Sequence, residues 1–473
     1  MSQYEKRTLL LGAGEASQLL IPYFHTNKTR NLKLIGLLDD RMDIQYVEGL
    51  PILGGLKDIG QIVTDYAVEY LVLAIPSLKG HKKIEVLEAC SKAGVQTEIM
   101  PDIGAIIRGE GSIQAMEKLD YKDLLDREEA TLDYDKLKID FFQKKVLITG
   151  AGGSIGSEIV RQLIRCEPAE ILLVGHGENS IFNILQEMTR LTEIPLIPII
   201  ADIQDKHRLE EVFEDYRPDI VYHAAAHKHV PMMEVNIREA VKNNIMGTKN
   251  LVDVSEYYDV ERFIMISTDK SVEPTSVMGA TKKIAEWIVQ AKNDRPNVGV
   301  YSVVRFGNVL GSRGSAIPLF WEQIKSDQTI TITHPDMERY FMTIPEASQL
   351  VIEAGMLAMG GEVFILKMGD SQKIVDIVYK LAVLAGKRKE QLDIQFIGLR
   401  DGEKIREELF EIEEIETASD TFMKFYCGQS KVPNRIYEIE DWNQFFAWKS
   451  EKDIRKELLQ IASEKIKLTK EPI

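Results

Sequence analysis

A short apolar strand that runs into a glycine turn and then into an apolar-periodic helix occurs twice in this chain. Arg7 to Ser17 reads RTLLLGAGEAS, with Gly12 and Gly14 in the turn; Lys144 to Gly156 reads KKVLITGAGGSIG, with Gly150, Gly153 and Gly156. Further apolar runs follow each unit: LKLIGLLDD and EYLVLAIP after the first, AEILLVG, PLIPIIADI, DIVYHAAA and RFIMIST after the second. Strands that alternate with helices need crossover connections, and crossovers build parallel sheets covered on both faces. The repeat therefore predicts an α/β chain with two doubly wound parallel sheets.

Length agrees with that count. At about 150 residues per domain, 473 residues make two or three domains. We expect a Rossmann-like nucleotide-binding domain over 1–115, a linker over 116–140, and over 141–473 a second Rossmann-like domain with a small C-terminal substrate subdomain. The 58 basic and 74 acidic residues leave a net charge of −16, which disfavours nucleic acid and anionic lipid as partners. Cys90, Cys166 and Cys427 form no CxxC pair, so reduced thiols in a cytoplasmic protein are expected. No run approaches the ~18 apolar residues of a membrane span, and MSQYEKRTLLLGAG lacks the layout of a signal peptide. Glu407, Glu408, Glu411, Glu413, Glu414 and Glu416 crowd ten residues, a run expected to be a solvated helix face.

In the first turn, Gly12 and Gly14 are followed by Asp39 at the end of the next strand, where a ribose-binding acid would sit. Nucleotide binding and a docking or regulatory role both remain open for that domain. The second turn is the stronger signal. The amides of Gly153, Ser154, Ile155 and Gly156 open a helix whose positive end can hold a pyrophosphate. Asp202 and Ile203 follow a strand where an adenine is gripped, but the second strand ends in Gly175-His176-Gly177. Without a carboxylate at His176 the choice between NAD and NADP stays open. Ser267 to Lys282, STDKSVEPTSVMGATK, then places a hydroxyl (Thr268), an acid (Asp269) and an amine (Lys270) at a strand's carboxyl end. Met278 and Lys282, four apart, share a helix face. The histidines of HAAAHKHVP lack acidic or cysteine partners at ligand spacing, so no metal is expected.

Several longer motifs accompany these: HAAAHKHVPMME, NNIMGT, RFGNVLGSRGSAIPLF, THPDMERYFMTIPEA and GLRDGEKIREEL. Together they resemble the nucleotide-sugar 4,6-dehydratases of bacterial capsule, O-antigen and protein glycosylation, members of the extended short-chain dehydrogenases/reductases. More narrowly the chain resembles their large two-domain branch, whose best-known activity is UDP-N-acetylglucosamine 4,6-dehydration. That branch carries four membrane helices ahead of its first nucleotide domain; with none here, the chain is read as a soluble member or a shortened one.

The resemblance implies an internal redox cycle. Hydride leaves C4 of the sugar for a nicotinamide, water is lost across C5 and C6, and the hydride returns at C6, so the cofactor is expected to stay bound and be recycled. It implies Asp269 as the acid for the departing 6-hydroxyl and Lys270 as the base for the C5 proton; the acid must be protonated and the base neutral. Lys282 would hold the nicotinamide ribose, and Ala224 and Ala225 would line the cofactor. Met278 stands where relatives carry a tyrosine that takes the 4-hydroxyl proton; a thioether cannot, so Thr268 would orient that hydroxyl while Asp269 or Lys270 accepts. Lys228 would lie between cofactor and sugar. Asn308, Val309, Ser312, Arg313, Arg400 and Glu403 would bind the nucleoside diphosphate, within an expected homo-oligomer that retains C5 configuration. A UDP-sugar 4-epimerase and a non-catalytic nucleotide-sugar sensor or scaffold are the competing readings.

Overall fold

Both glycine turns sit at the carboxyl end of a central parallel strand, which is where the repeat places them. A computed structural model describes residues 5–26, 31–41, 43–100, 121–125, 127, 129–295, 299–411, 414 and 424–464. The expected domain boundary at 115, linker residues 116–120, 126 and 128, and Glu413 and Glu416 lie outside these residues. The chain divides into two compact units: 1–128 with 316–332 and 374–396, and 129–315 with 333–373 and 397–473. Neither unit is continuous in sequence.

In the first unit the strand Lys6–Leu11 lies between Leu32–Leu38 and Tyr70–Leu73, all parallel. Gln96–Ile99 extends one side; Leu50–Gly54 and Tyr46–Val47 extend the other. Helix Ile374–Leu384, late in the chain, contributes Val383 to this unit's core beside Leu87 and Cys90.

The second unit is built on eight strands in the order Phe425–Gly428, Val363–Leu366, Val300–Phe306, Arg262–Thr268, Ile220–His223, Lys145–Thr149, Glu170–Gly175, Leu196–Ile200. All neighbours are parallel except the Val363–Leu366 and Phe425–Gly428 pair. Strand order reverses between Lys145–Thr149 and Ile220–His223, and a crevice opens outside the carboxyl ends at such a switch point. Both faces are covered, so the strands read as continuous apolar runs. Leu147, Phe263 and Val303 pack toward helix Val277–Gln290 and the C-terminal segment with Trp442 and Leu458. Val146, Ile264 and Val304 pack on the opposite face with Ile159 and Val351. Fold class is thus α/β with two Rossmann-like sheets.

Candidate active site

The second glycine turn is shaped for a ligand that approaches the backbone. Gly150 has φ +63°, left-handed space that favours glycine. A Cβ on Gly156 would lie 2.2 Å from the Gly150 carbonyl oxygen, so only glycine lets helix Ser154–Leu163 start this close to its strand. That helix opens at Gly153, and its first amides have no partner within the helix. Arg313 closes over the turn: its Nη2 donates to the Gly152 carbonyl at 2.6 Å and its amide to Ser154 Oγ at 3.1 Å. Lys228 Nζ donates to Ser312 Oγ at 3.2 Å. The open helix N-terminus fits a dinucleotide pyrophosphate, and two cations border it. Ala224 and Ala225 pass directly beside Gly150; the Ala224 amide donates to the Thr149 carbonyl. His176 is exposed at its strand end, and Asp202 turns to its own loop, accepting from the Gln204 amide at 2.9 Å, with Ile203 buried beside Gly247.

The strand Arg262–Thr268 delivers Thr268, Asp269 and Lys270 into one turn of 3₁₀ helix. Thr268 Oγ1 donates to Asp269 Oδ1 at 2.9 Å, and Lys270 Nζ donates to the same oxygen at 3.0 Å and to Asn308 Oδ1 at 3.1 Å. Asp269 is fully buried, and its Oδ2 has no hydrogen-bond partner among the described residues. Val309 follows Asn308 on a short strand paired with Phe341–Thr343.

Helix Val277–Gln290 is capped by Ser276 and carries both Met278 and Lys282. Met278 is buried among apolar neighbours. Lys282 Nζ donates to the Ile266 carbonyl at 2.8 Å, and burial brings its ammonium down to about 8. The helix approaches the turn of Thr268, Asp269 and Lys270 so closely that a Cβ on Gly279 would stand 2.2 Å from the Lys270 carbonyl oxygen.

His223, a strand residue of HAAAHKHVP, is buried between Thr149 Oγ1 (2.8 Å) and Thr248 Oγ1 (3.0 Å). Burial, with the Lys282 charge behind it, lowers its imidazole to about 3. Both ring nitrogens are engaged by threonines. Asn244, in a π-helical stretch Val241–Gly247, accepts from the His227 amide and donates to the His227 carbonyl and to Thr281 Oγ1. It ties the Lys228 loop to the Lys282 helix. NNIMGT had marked this segment without assigning Asn244 that task.

The acidic run is not a solvated face. Glu407 and Glu414 are buried, while Glu408 is exposed. Glu414 accepts from Arg305 Nη1 at 2.7 Å and Nη2 at 3.0 Å; the same guanidinium meets Glu286, which accepts from Ser267 and Ser271 on either side of Thr268, Asp269 and Lys270. Lys283 Nζ lies 2.8 Å from Glu411. Burial alone would raise Glu286 and Glu414, but Arg305 and Lys283 outweigh it, holding Glu286 below the usual range and Glu414 at about 2, whereas at Glu411 burial prevails and the carboxyl stands above the usual range. Charge counting along the sequence missed this because the compensating cations come from a strand and a helix about a hundred residues earlier.

Arg400 and Glu403 close their own turn, the Arg400 amide donating to Glu403 Oε2, and Arg400 is exposed. That turn packs on the start of the Lys282 helix, where Gly402 accepts from Thr275. In the first unit Gly12 has φ +106° and Gly14 opens onto free space. Asp39 accepts from the Ala13 amide at 2.6 Å and from Arg41, so the turn and its acid do meet. Among the described residues no His, Cys, Asp and Glu cluster could hold a metal, and no helix is long and apolar enough to cross a membrane.

A family described as polysaccharide biosynthesis protein matches residues 146–429. The capsular polysaccharide biosynthesis protein CapD of Staphylococcus aureus is 44% identical over 430 residues, covering 90% of this chain and 72% of CapD. An inverting UDP-N-acetylglucosamine 4,6-dehydratase of Campylobacter jejuni is 35% identical over 272 residues, 56% of this chain and 77% of its own. A UDP-glucose 4-epimerase of Rickettsia bellii is 34% identical over 288 residues, 59% and 81% respectively. The crystal structure of Pen from Bacillus thuringiensis superposes with a TM-score of 0.58 at 36% identity, covering 62% of this chain and 89% of Pen.

Proposed function

The chain belongs to the polysaccharide biosynthesis protein family, and from that membership we propose that it is a nucleotide-sugar 4,6-dehydratase, with UDP-N-acetylglucosamine as substrate and NAD as a resident, recycled cofactor. One observation carries the choice of dehydration over epimerisation: Lys270 Nζ stands 3.0 Å from Asp269 Oδ1 at the carboxyl end of the sheet. An epimerase oxidises C4 and returns the hydride there; it needs no acid and base for C5 and C6.

The residues divide the work as follows. Gly150, Gly153, Ser154, Ile155 and Gly156 present the pyrophosphate cradle, and Lys282 supplies positive charge at the nicotinamide ribose. When bound, NAD would take the hydride from C4 and return it at C6. Thr268 orients the 4-hydroxyl, and Asp269, already bonded to Thr268, receives its proton in place of a tyrosine at Met278. Lys270 removes the C5 proton, and Asp269 protonates the departing 6-hydroxyl. Lys228, Arg313 and Asn308 hold the nucleoside diphosphate side. For Arg313 this means exchanging its bond to the Gly152 carbonyl for phosphate oxygens, a charge-assisted gain.

Incubation with UDP-N-acetylglucosamine in heavy water, read by NMR, tests the reading. The expected product is a 4-keto-6-deoxy sugar nucleotide with deuterium at C5 and retained configuration; Asp269→Asn and Lys270→Ala should each lower its formation by roughly 10² to 10⁴. Near-normal product from either variant overturns the scheme. A product that keeps its 6-hydroxyl with C4 inverted returns the epimerase reading. Identification of the dinucleotide released on denaturation separates NAD from NADP.

A further inference from the structure

Asp269 and Lys270 have a third ionisable neighbour. Glu407, in GLRDGEKIREEL, is 6% exposed, and its Oε1 lies 3.7 Å from Lys270 Nζ. Lys270 thus faces one carboxylate at 3.0 Å and a second, from the C-terminal segment, at 3.7 Å. Arg339 Nη2 lies 3.8 Å from the same Glu407 oxygen, and Lys404, whose Nζ donates to the Val272 carbonyl, completes the charged groups around it. Asp269 Oδ2 and Glu407 Oε2 are both buried without a hydrogen-bond partner among the described residues. Each carboxylate therefore keeps one oxygen able to carry a proton. Burial lifts Glu407's carboxyl above the usual glutamate range, against the pull of Lys270 and with the help of Asp269's charge.

We propose that Glu407 stores the proton that Lys270 must shed before it can act as a base. The inference rests on the dehydratase reading. At rest Lys270 is an ammonium between two carboxylates. When C4 is oxidised, the 4-hydroxyl O–H bond breaks, its proton goes to Asp269, and the C4 hydrogen leaves with its electron pair for the nicotinamide dinucleotide. Lys270 has then lost its nearer counter-charge and passes one N–H proton to Glu407. The neutral amine takes the C5 proton, the C5–H electron pair becomes the C5–C6 double bond, and the C6–O bond breaks. The departing oxygen takes the proton from Asp269 and leaves as water. As hydride returns to C6, Lys270 gives a proton back to C5 and recovers its own from Glu407. The proton gained from the 4-hydroxyl equals the one lost with water. Asp269 and Lys270 alone would need a resting neutral lysine beside an ionised aspartate, the less favourable charge state.

Glu407→Gln tests this, because an amide accepts a hydrogen bond but cannot store the proton. With active wild type alongside, E407Q should still oxidise C4, detected by borodeuteride trapping of the bound sugar, while C5 exchange with heavy water falls ~10²-fold or more. Glu407→Asp should recover part of the exchange. A loss of C4 oxidation and C5 exchange in equal proportion marks a merely structural role and overturns the proposal, as does near-wild-type exchange in E407Q. Without substrate, infrared difference spectra of wild type against E407Q, or against E407D should E407Q not fold, should show a carboxylic acid band titrating above the ordinary glutamate range. Absence of that band also overturns it. If wild type neither oxidises nor dehydrates any UDP- or dTDP-hexose, the dehydratase reading fails first and takes this inference with it.

Discussion

His223 shows how one buried side chain ties stability to pH. Its imidazole is neutral in the fold and titrates at about 3, against an ordinary value of 6.5. Between those values the unfolded chain binds the proton and the native state does not, so unfolding takes up a proton. Stability from this group is complete above pH 6.5 and declines as pH falls toward 3, by up to ~1.4 kcal/mol per pH unit. Urea melts at pH 7 and pH 5 should show the decline, and His223→Asn should flatten it; an unchanged slope assigns the acid sensitivity elsewhere. Met278 is the opposite case. Buried in the apolar core with no polar task, it should tolerate Met278→Leu at a cost below ~1.5 kcal/mol, and under the proposed dehydratase function the rate of 4-keto product formation should be little altered. That the turn glycines lie together, and that Thr268, Asp269 and Lys270 share one strand end, was legible because each set lies within its own short motif. Glu407 was not, because its neighbour Lys270 lies far earlier in the chain and only folding makes them meet.

At the scale of the element, helix Val277–Gln290 is enclosed along its whole length. A helix with Lys282, Lys283 and Glu286 would not be placed there from composition; Lys283 and Glu286 are admissible because Glu411, Glu414 and Arg305 reach them, and Lys282 because its Nζ donates to the Ile266 carbonyl. Removing one member of a buried pair leaves the other uncompensated. Glu414→Ala should therefore destabilise the protein by about 3–5 kcal/mol, read as a lower denaturation midpoint. Gly279 sets the other limit on this helix, since a methyl group would meet the Lys270 carbonyl at 2.2 Å. Gly279→Ala must shift either the helix or the Lys270 turn, at a cost of about 1–3 kcal/mol. Misplacement of that order can lower turnover by ~10², to be measured as product formation by protein that remains folded. The spacing of Met278 and Lys282 already implied one helix face; why a glycine follows Met278 became clear only from the approach of the turn.

For the whole molecule, the alternation of strands and helices announced two large sheets, and the described residues form a six-stranded and an eight-stranded sheet, beside three two-stranded ones. How the later chain is distributed was not announced. Residues 316–332 and 374–396 fall with the first unit, while 434–462 close over the Lys282 helix of the second, with Trp442 fully buried. Trp442→Ala should cost about 3–5 kcal/mol and lower the unfolding midpoint of the second unit as a whole, followed by near-ultraviolet circular dichroism. A change confined to the C-terminal helices would show that they add little to its core. The sequence by itself determined the α/β class, the paired glycine turns and the order of the site residues along the strand ends. All of these are local, set by spacing and by the geometry of a strand that passes into a helix. Tertiary structure decided which charges are buried, which partners hold them and which segments share a core. Burial of a charge depends on counter-charges and apolar faces brought from distant positions, and no window along the chain contains them.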